Sequence, residues 1–136
     1  MSTRHGSFWI AGVPAPKGST RSFVSRSTGR VVTLSDCGRL ASWEATVRDT
    51  ARAHGVPLLD GPVKIDARFY VPRPKRCTRK FPTVRPDSDK MLRALYDGCE
   101  GVLFRNDAQV IDGRARKVYA DPAIGPGCFV AWREVA

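Results

Sequence analysis

Apolar and polar positions change their period several times along this 136-residue chain, and each change marks an element. Residues 62–72, PVKIDARFYVP, alternate strictly. Val63, Ile65, Ala67, Phe69 and Val71 fall on one face and Lys64, Asp66, Arg68 and Tyr70 on the other, the two-residue period of a half-buried strand. From Leu40 to about His54 the period lengthens. Leu40, Trp43, Val47 and Ala51 recur at three- and four-residue steps, which predicts an amphipathic helix anchored in the core by Trp43 and ended by Gly55 and Pro57. FWIAGV, residues 8–13, predicts a short first strand closed by Pro14 and Pro16. A second helix opens at Asp87, carries Met91, Leu92, Leu95 and Tyr96, and has Asp97-Gly98 as its predicted stop. Beyond it, VLFRNDAQVIDGRARKVYA breaks into short β-prone pieces about a polar turn at Arg105 to Asp107, and CFVAWREV reads as a last strand.

Two stretches follow neither period. PKGSTRSFVSRSTGRVV carries Lys17, Arg21, Arg26 and Arg30 without an acid, and its glycine and serine content predicts a mobile loop or ribbon, either simply solvated or gripping phosphates. PRPKRCTRKFPTVRP, between Pro72 and Pro86, holds Arg73, Lys75, Arg76, Arg79, Lys80 and Arg85 and is too rich in proline and charge for a core element. The order strand, basic ribbon, helix, strand, basic loop, helix, strand, strand predicts one α/β (α+β) domain over residues 1–136, a mixed sheet with helices packed on it. No internal repeat interrupts it.

Charge adds the strongest compositional signal. Lysine and arginine number 23 against 13 acids, a net charge of +10. That excess implies a polyanionic partner, nucleic acid before an anionic membrane surface. No apolar run approaches the ~20 residues of a spanning helix, and the opening MSTRHGSFWIAG lacks the apolar stretch of a leader, so a cytoplasmic protein without a membrane partner is expected. Cys37, Cys77, Cys99 and Cys128 stand singly, without a CxxC pair, and His5 and His54 lie far apart; reduced thiols and no zinc site are expected.

Against this background RPDSDKMLRALYDG is the exception, because residues 73–93 hold eight basic residues and only two acids, Asp87 and Asp89. Capping explains Asp87, since aspartate is a preferred N-cap and the helix dipole favours negative charge there. It explains Asp89 less specifically. A carboxylate pair on a phosphate-attracting surface weakens that attraction unless a cation lies between. Magnesium fits: it takes oxygen ligands, a few carboxylates plus phosphate oxygens, and polarises a scissile phosphate while activating water. A third carboxylate is then needed, and Asp107 in FRNDAQV is the first candidate, with Asp112 and Asp97 behind it. A DxD pair alone is a weak signal.

RPDSDKMLRALYDG, followed by NDAQVIDGRARKVY and preceded by FWIAGVPAPKG, resembles the RusA family of Holliday junction resolvases. The resemblance covers about half the chain closely, residues 8–18 and 85–120. It implies a homodimeric, RusA-like endonuclease that resolves four-way DNA junctions by paired symmetric nicks in recombination and repair. It further implies a magnesium ion, replaceable by manganese, on Asp87, Asp89 and Asp107. Where the family commonly has a lysine one turn into the helix this chain has Arg93, and Lys90 stands where asparagine is frequent. Arginine is always charged and delivers no proton, so Arg93 and Lys90 are expected to clamp phosphate or the transition state. Lys117 also falls on a basic family position, either as a DNA contact or as an exposed strand lysine. The basic residues at 17–30 and 73–85 would contact phosphates on adjacent arms. A two-fold dimer carries two equivalent sites, as paired nicks in a near two-fold junction require.

Two other readings share the charge. One is a DNA-binding accessory protein without nuclease activity, which the arginine departure also favours. The other is a nuclease of broader range, acting on forks and flaps. Trp9 and Trp132 are expected in the core or at a dimer seam, and Phe81 in the basic loop is a candidate wedge into the junction centre.

Overall fold

Strand β4 (Val63–Val71) keeps the alternation written in its sequence, with every odd position buried and every even one partly exposed. The computed structural model describes residues 3–18, 20–24, 26–35 and 37–136, and for residues 20–24, 31–35 and 37 only the backbone. β4 lies inside a four-stranded sheet of order β1-β6-β4-β5, with β1 at His5–Ala11, β5 at Val110–Tyr119 and β6 at Gly127–Glu134. β6 runs antiparallel to both of its neighbours, while β4 and β5 are parallel. A parallel pair needs a long crossover, and helix α2 (Ser88–Cys99) supplies it.

Helix α1 (Cys37–Ala53) and α2 pack against each other and on one face of this sheet. Trp43, Val47 and Ala51 from α1, Met91 and Leu95 from α2, and Ile65, Phe69, Cys128 and Val130 from the sheet are all buried there. The molecule is the mixed α+β domain that the two periods predict. The basic segment near the N-terminus is a ribbon: β2 (Thr20–Val24) and β3 (Val31–Ser35) pair antiparallel.

Two details depart from the sequence reading. Asp97-Gly98 does not stop the second helix, which continues through Cys99. Gly98 is there for close packing, since a Cβ at that position would come within 2.7 Å of the Val47 side chain. The reversal falls three residues later, at Gly101, whose φ of 80° is a left-handed conformation that favours glycine. The β-prone Val102, Leu103 and Phe104 form no strand of the sheet. They fill the core as a buried turn, tied by the Leu59 N–H donating to the Leu103 carbonyl at 2.8 Å.

Candidate metal centre

The polar turn after α2 is built by side chains. Asn106 accepts from the Ala108 N–H at 2.8 Å, and Gln109 accepts from the Arg105 and Asn106 N–H groups, a capping box around one turn of 3-10 helix at Asp107–Gln109. The Gln109 amide also donates to the carbonyls of Leu59 and Gly61, both at 2.9 Å, which fixes the turn to the body of the domain. Asp107 is thereby held over the end of α2. Its N–H donates to the Glu100 carboxylate at 3.2 Å.

Asp97, Glu100 and Asp107 converge here, each with a carboxylate oxygen within 4.8 Å of the others. Asp97 and Glu100 are part-buried and Asp107 is exposed. An all-oxygen, solvent-facing donor set matches the preference of magnesium and manganese, and it lacks the nitrogen and sulfur ligands of a typical zinc site. Basic groups border the cluster. The Lys17 ammonium pairs with the Asp97 carboxylate, and the Arg48 guanidinium donates to the Asp97 carbonyl at 3.2 Å. Arg93 stands one turn before Asp97 on the same face of α2, close enough for its charge to act on Lys17. Beneath the cluster, Tyr96 has its hydroxyl pushed up to about 12, first by burial and then by the charges of Asp107 and Asp112, so it stays protonated. It fits because Gly113 has no side chain; a Cβ there would overlap the tyrosine oxygen.

Asp87 and Asp89 lie elsewhere. They are at the N-terminal end of α2, and Asp89 precedes Asp97 by eight residues, roughly 12 Å of helix axis. Neither belongs to the group whose carboxylate oxygens lie within 4.8 Å of one another, close to the ~4.2 Å that spans a magnesium octahedron. One protomer therefore does not bring Asp87, Asp89 and Asp107 around one ion. Asp87 is the N-cap, yet its side chain makes no capping hydrogen bond; it pairs instead with Lys90 at 3.7 Å. Asp87 thus takes the predicted N-cap position, with the helix dipole but no capping hydrogen bond to favour it there. Glu100 was missed by the sequence reading, although its three-residue spacing from Asp97 places both at the same end of the helix.

Several of the basic residues are engaged within the protein and others are exposed. Lys117 donates to the carbonyls of Val84 at 2.6 Å and Pro86 at 2.9 Å, latching the segment that leads into α2. Arg73 donates to the Arg79 carbonyl at 2.7 Å and lies 4.3 Å over the Tyr119 ring, and Arg79 donates to the Tyr119 hydroxyl at 3.3 Å. These two arginines fold the 73–85 loop onto β5. Lys75, Arg76, Lys80 and Arg85 are exposed on it, as are Arg26 and Arg30 on the turn between β2 and β3. The Arg21 side chain lies outside the described residues. Phe81 is 56% exposed, with the Lys80 ammonium 5.5 Å from its ring centre.

The sequence pattern of the family described as Endodeoxyribonuclease RusA matches residues 14–125. The chain is also 25% identical to the uncharacterized protein YqaN of Bacillus subtilis, over 95% of this chain and 96% of that one. The matched family region contains α1, α2, the 3-10 turn, and with them every residue of the acidic cluster.

Proposed function

Because the chain belongs to the RusA endodeoxyribonuclease family, we propose that it cuts branched DNA, four-way junctions above all, in recombination and repair, with magnesium as its ion and manganese as a substitute. The observation that carries this reading is the convergence of Asp97, Glu100 and Asp107 within 4.8 Å on a chain of net charge +10. On a surface built to attract phosphates, three acids at one point make sense as the seat of a cation. A divalent ion bound there would supply the positive charge that offsets the phosphate during hydrolysis.

The chain's own residues do the rest. Arg93 clamps a phosphate oxygen beside the cluster, and its fixed charge suits it to stabilising rather than to moving protons. Lys17 neutralises Asp97 until a metal ion and phosphate arrive. Tyr96, kept protonated, offers a hydroxyl to the same site. The exposed cations of the 73–85 loop and of the ribbon turn hold the arms by their backbones, reading shape more than base sequence.

Asp87 and Asp89, which lie outside the acidic cluster of their own protomer, join the reaction from the second protomer of a homodimer. Such a dimer has two equivalent centres, which is what paired nicks need. The test is a labelled four-way junction incubated with the protein and magnesium. Two symmetric nicks are expected, and Asp97→Asn is expected to bind the junction and leave it uncut. Equal cutting by Asp97→Asn would remove the cluster from the reaction.

A further inference from the structure

The sheet face turned away from α1 and α2 carries the strand positions that the core leaves unused. One row crosses all four strands in register: Trp9 on β1, Phe129 on β6, Arg68 on β4 and Arg116 on β5. Arginines 68 and 116 are cross-strand neighbours, and among the described residues neither is in an ion pair. Like charges placed opposite one another destabilise a sheet, and the row itself holds no acid to offset them. The acids of this face, Asp66 and Asp112, belong to other rows, and Asp112 is shared between Lys64 and Arg114 at 3.7 Å each.

The aromatic half of the row is equally specific. Phe129, in the middle of the sheet, is 42% exposed. Trp9 meets Tyr70 edge to face at 5.3 Å and rests over Gly127, where a Cβ would come within 2.3 Å of the indole. A glycine on β6 thus leaves a seat for a ring laid along the sheet.

We infer that this face is a docking surface for single-stranded DNA, with bases stacked on Phe129 and Trp9 and phosphates held by Arg68 and Arg116. The exposed ring of Phe129 and the partly exposed ring of Trp9 offer a π-surface to any base and neighbouring arginines follow the backbone, the combination that binds single strands without reading sequence. A second copy of the chain fits less well, because Lys64, Arg68, Arg114, Arg116 and Arg133 outnumber Asp66 and Asp112 on this face, so two copies would bring like charge together. The choice of DNA rests on the endonuclease reading; the surface itself is independent of the cutting centre.

The test uses the full chain in EDTA, without divalent metal, titrated with oligodeoxythymidine while tryptophan emission is followed. Trp43 and Trp132 are only 3% and 7% exposed, so stacking should be reported by Trp9. Saturable quenching is expected, absent in Trp9→Phe, and Arg68→Gln with Arg116→Gln should weaken binding about tenfold, with lysine at both positions restoring it. Unchanged affinity in the folded glutamine double variant would overturn the proposal. So would a change of molar mass by light scattering in Phe129→Ala with DNA affinity intact, which would make the face a seam between copies. Junction nicking with magnesium is scored separately: quenching without nicking keeps this inference and removes the endonuclease reading, and nicking without quenching does the reverse.

Discussion

Lys17 stands where an incoming cation has to bind. Its ammonium neutralises Asp97, so a divalent ion entering the cluster must displace it. Lys17→Met is therefore expected to tighten manganese binding about fivefold, of the order of the ~1 kcal/mol that a partly exposed ion pair is worth, as read by calorimetric titration without DNA. Weaker or unchanged binding would show that the lysine does not compete. A second residue-scale expectation concerns the thiols. Cys77 is held below the usual thiol range, first by its hydrogen bond with Tyr119 and then by a hydrogen bond with the Arg79 backbone and the charges of Arg79 and Arg73, whereas burial pushes the thiols of Cys99 and Cys128 up. The lowered group forms thiolate at lower pH. Alkylation of Cys77 should thus outpace that of Cys99 and Cys128 and reach half its maximal rate below the pH of a free cysteine, with Tyr119→Phe moving that midpoint upward; peptide mass spectrometry follows each site. Asp107 was legible in the sequence as a polar residue between apolar segments, and Asp97 was in view as a reserve carboxylate. Glu100 was not, because its role depends on a turn that returns Asp107 to the helix end, and nothing in a helical period announces that turn.

At the scale of elements, the periods in the sequence located β4, both helices and the last strand because each buries one face against the same core. The end of α2 was misplaced for a physical reason: glycine has two uses, to end helices and to let helices touch, and only the neighbouring chain decides between them. Gly98 serves the second. Gly98→Ala improves intrinsic helix propensity by about 1 kcal/mol, yet it drives a methyl into Val47, a β-branched side chain with little freedom to move. The substitution is expected to destabilise the protein by about 1–3 kcal/mol in urea unfolding. A stabilised variant would mean that α1 and α2 are not packed at this point. The latch from Lys117 to Val84 and Pro86 belongs to the same scale. A basic residue in a DNA-acting chain invites assignment to phosphate, and only the fold reveals that this one holds the start of α2 in place.

For the whole molecule, the separation of Asp89 from Asp107 makes the homodimer testable through function. If each centre draws Asp89 from one protomer and Asp107 from the other, mixing Asp89→Asn with Asp107→Asn protein should restore single nicks that neither variant makes alone, because one of the two centres in the mixed dimer is intact. No restored nicking after exchange of protomers would place Asp89 outside the centre. The +10 charge and the exposed cations of the 73–85 loop and the ribbon turn further imply junction binding that weakens steeply as salt rises. The most direct test of the central claim is cleavage of a labelled four-way junction in magnesium by wild-type protein and Asp107→Asn, with junction affinity measured in EDTA at the same salt. Paired nicks by the wild type, with junction binding retained and cleavage abolished in the variant, is the predicted result; cleavage by Asp107→Asn at the wild-type rate would contradict it.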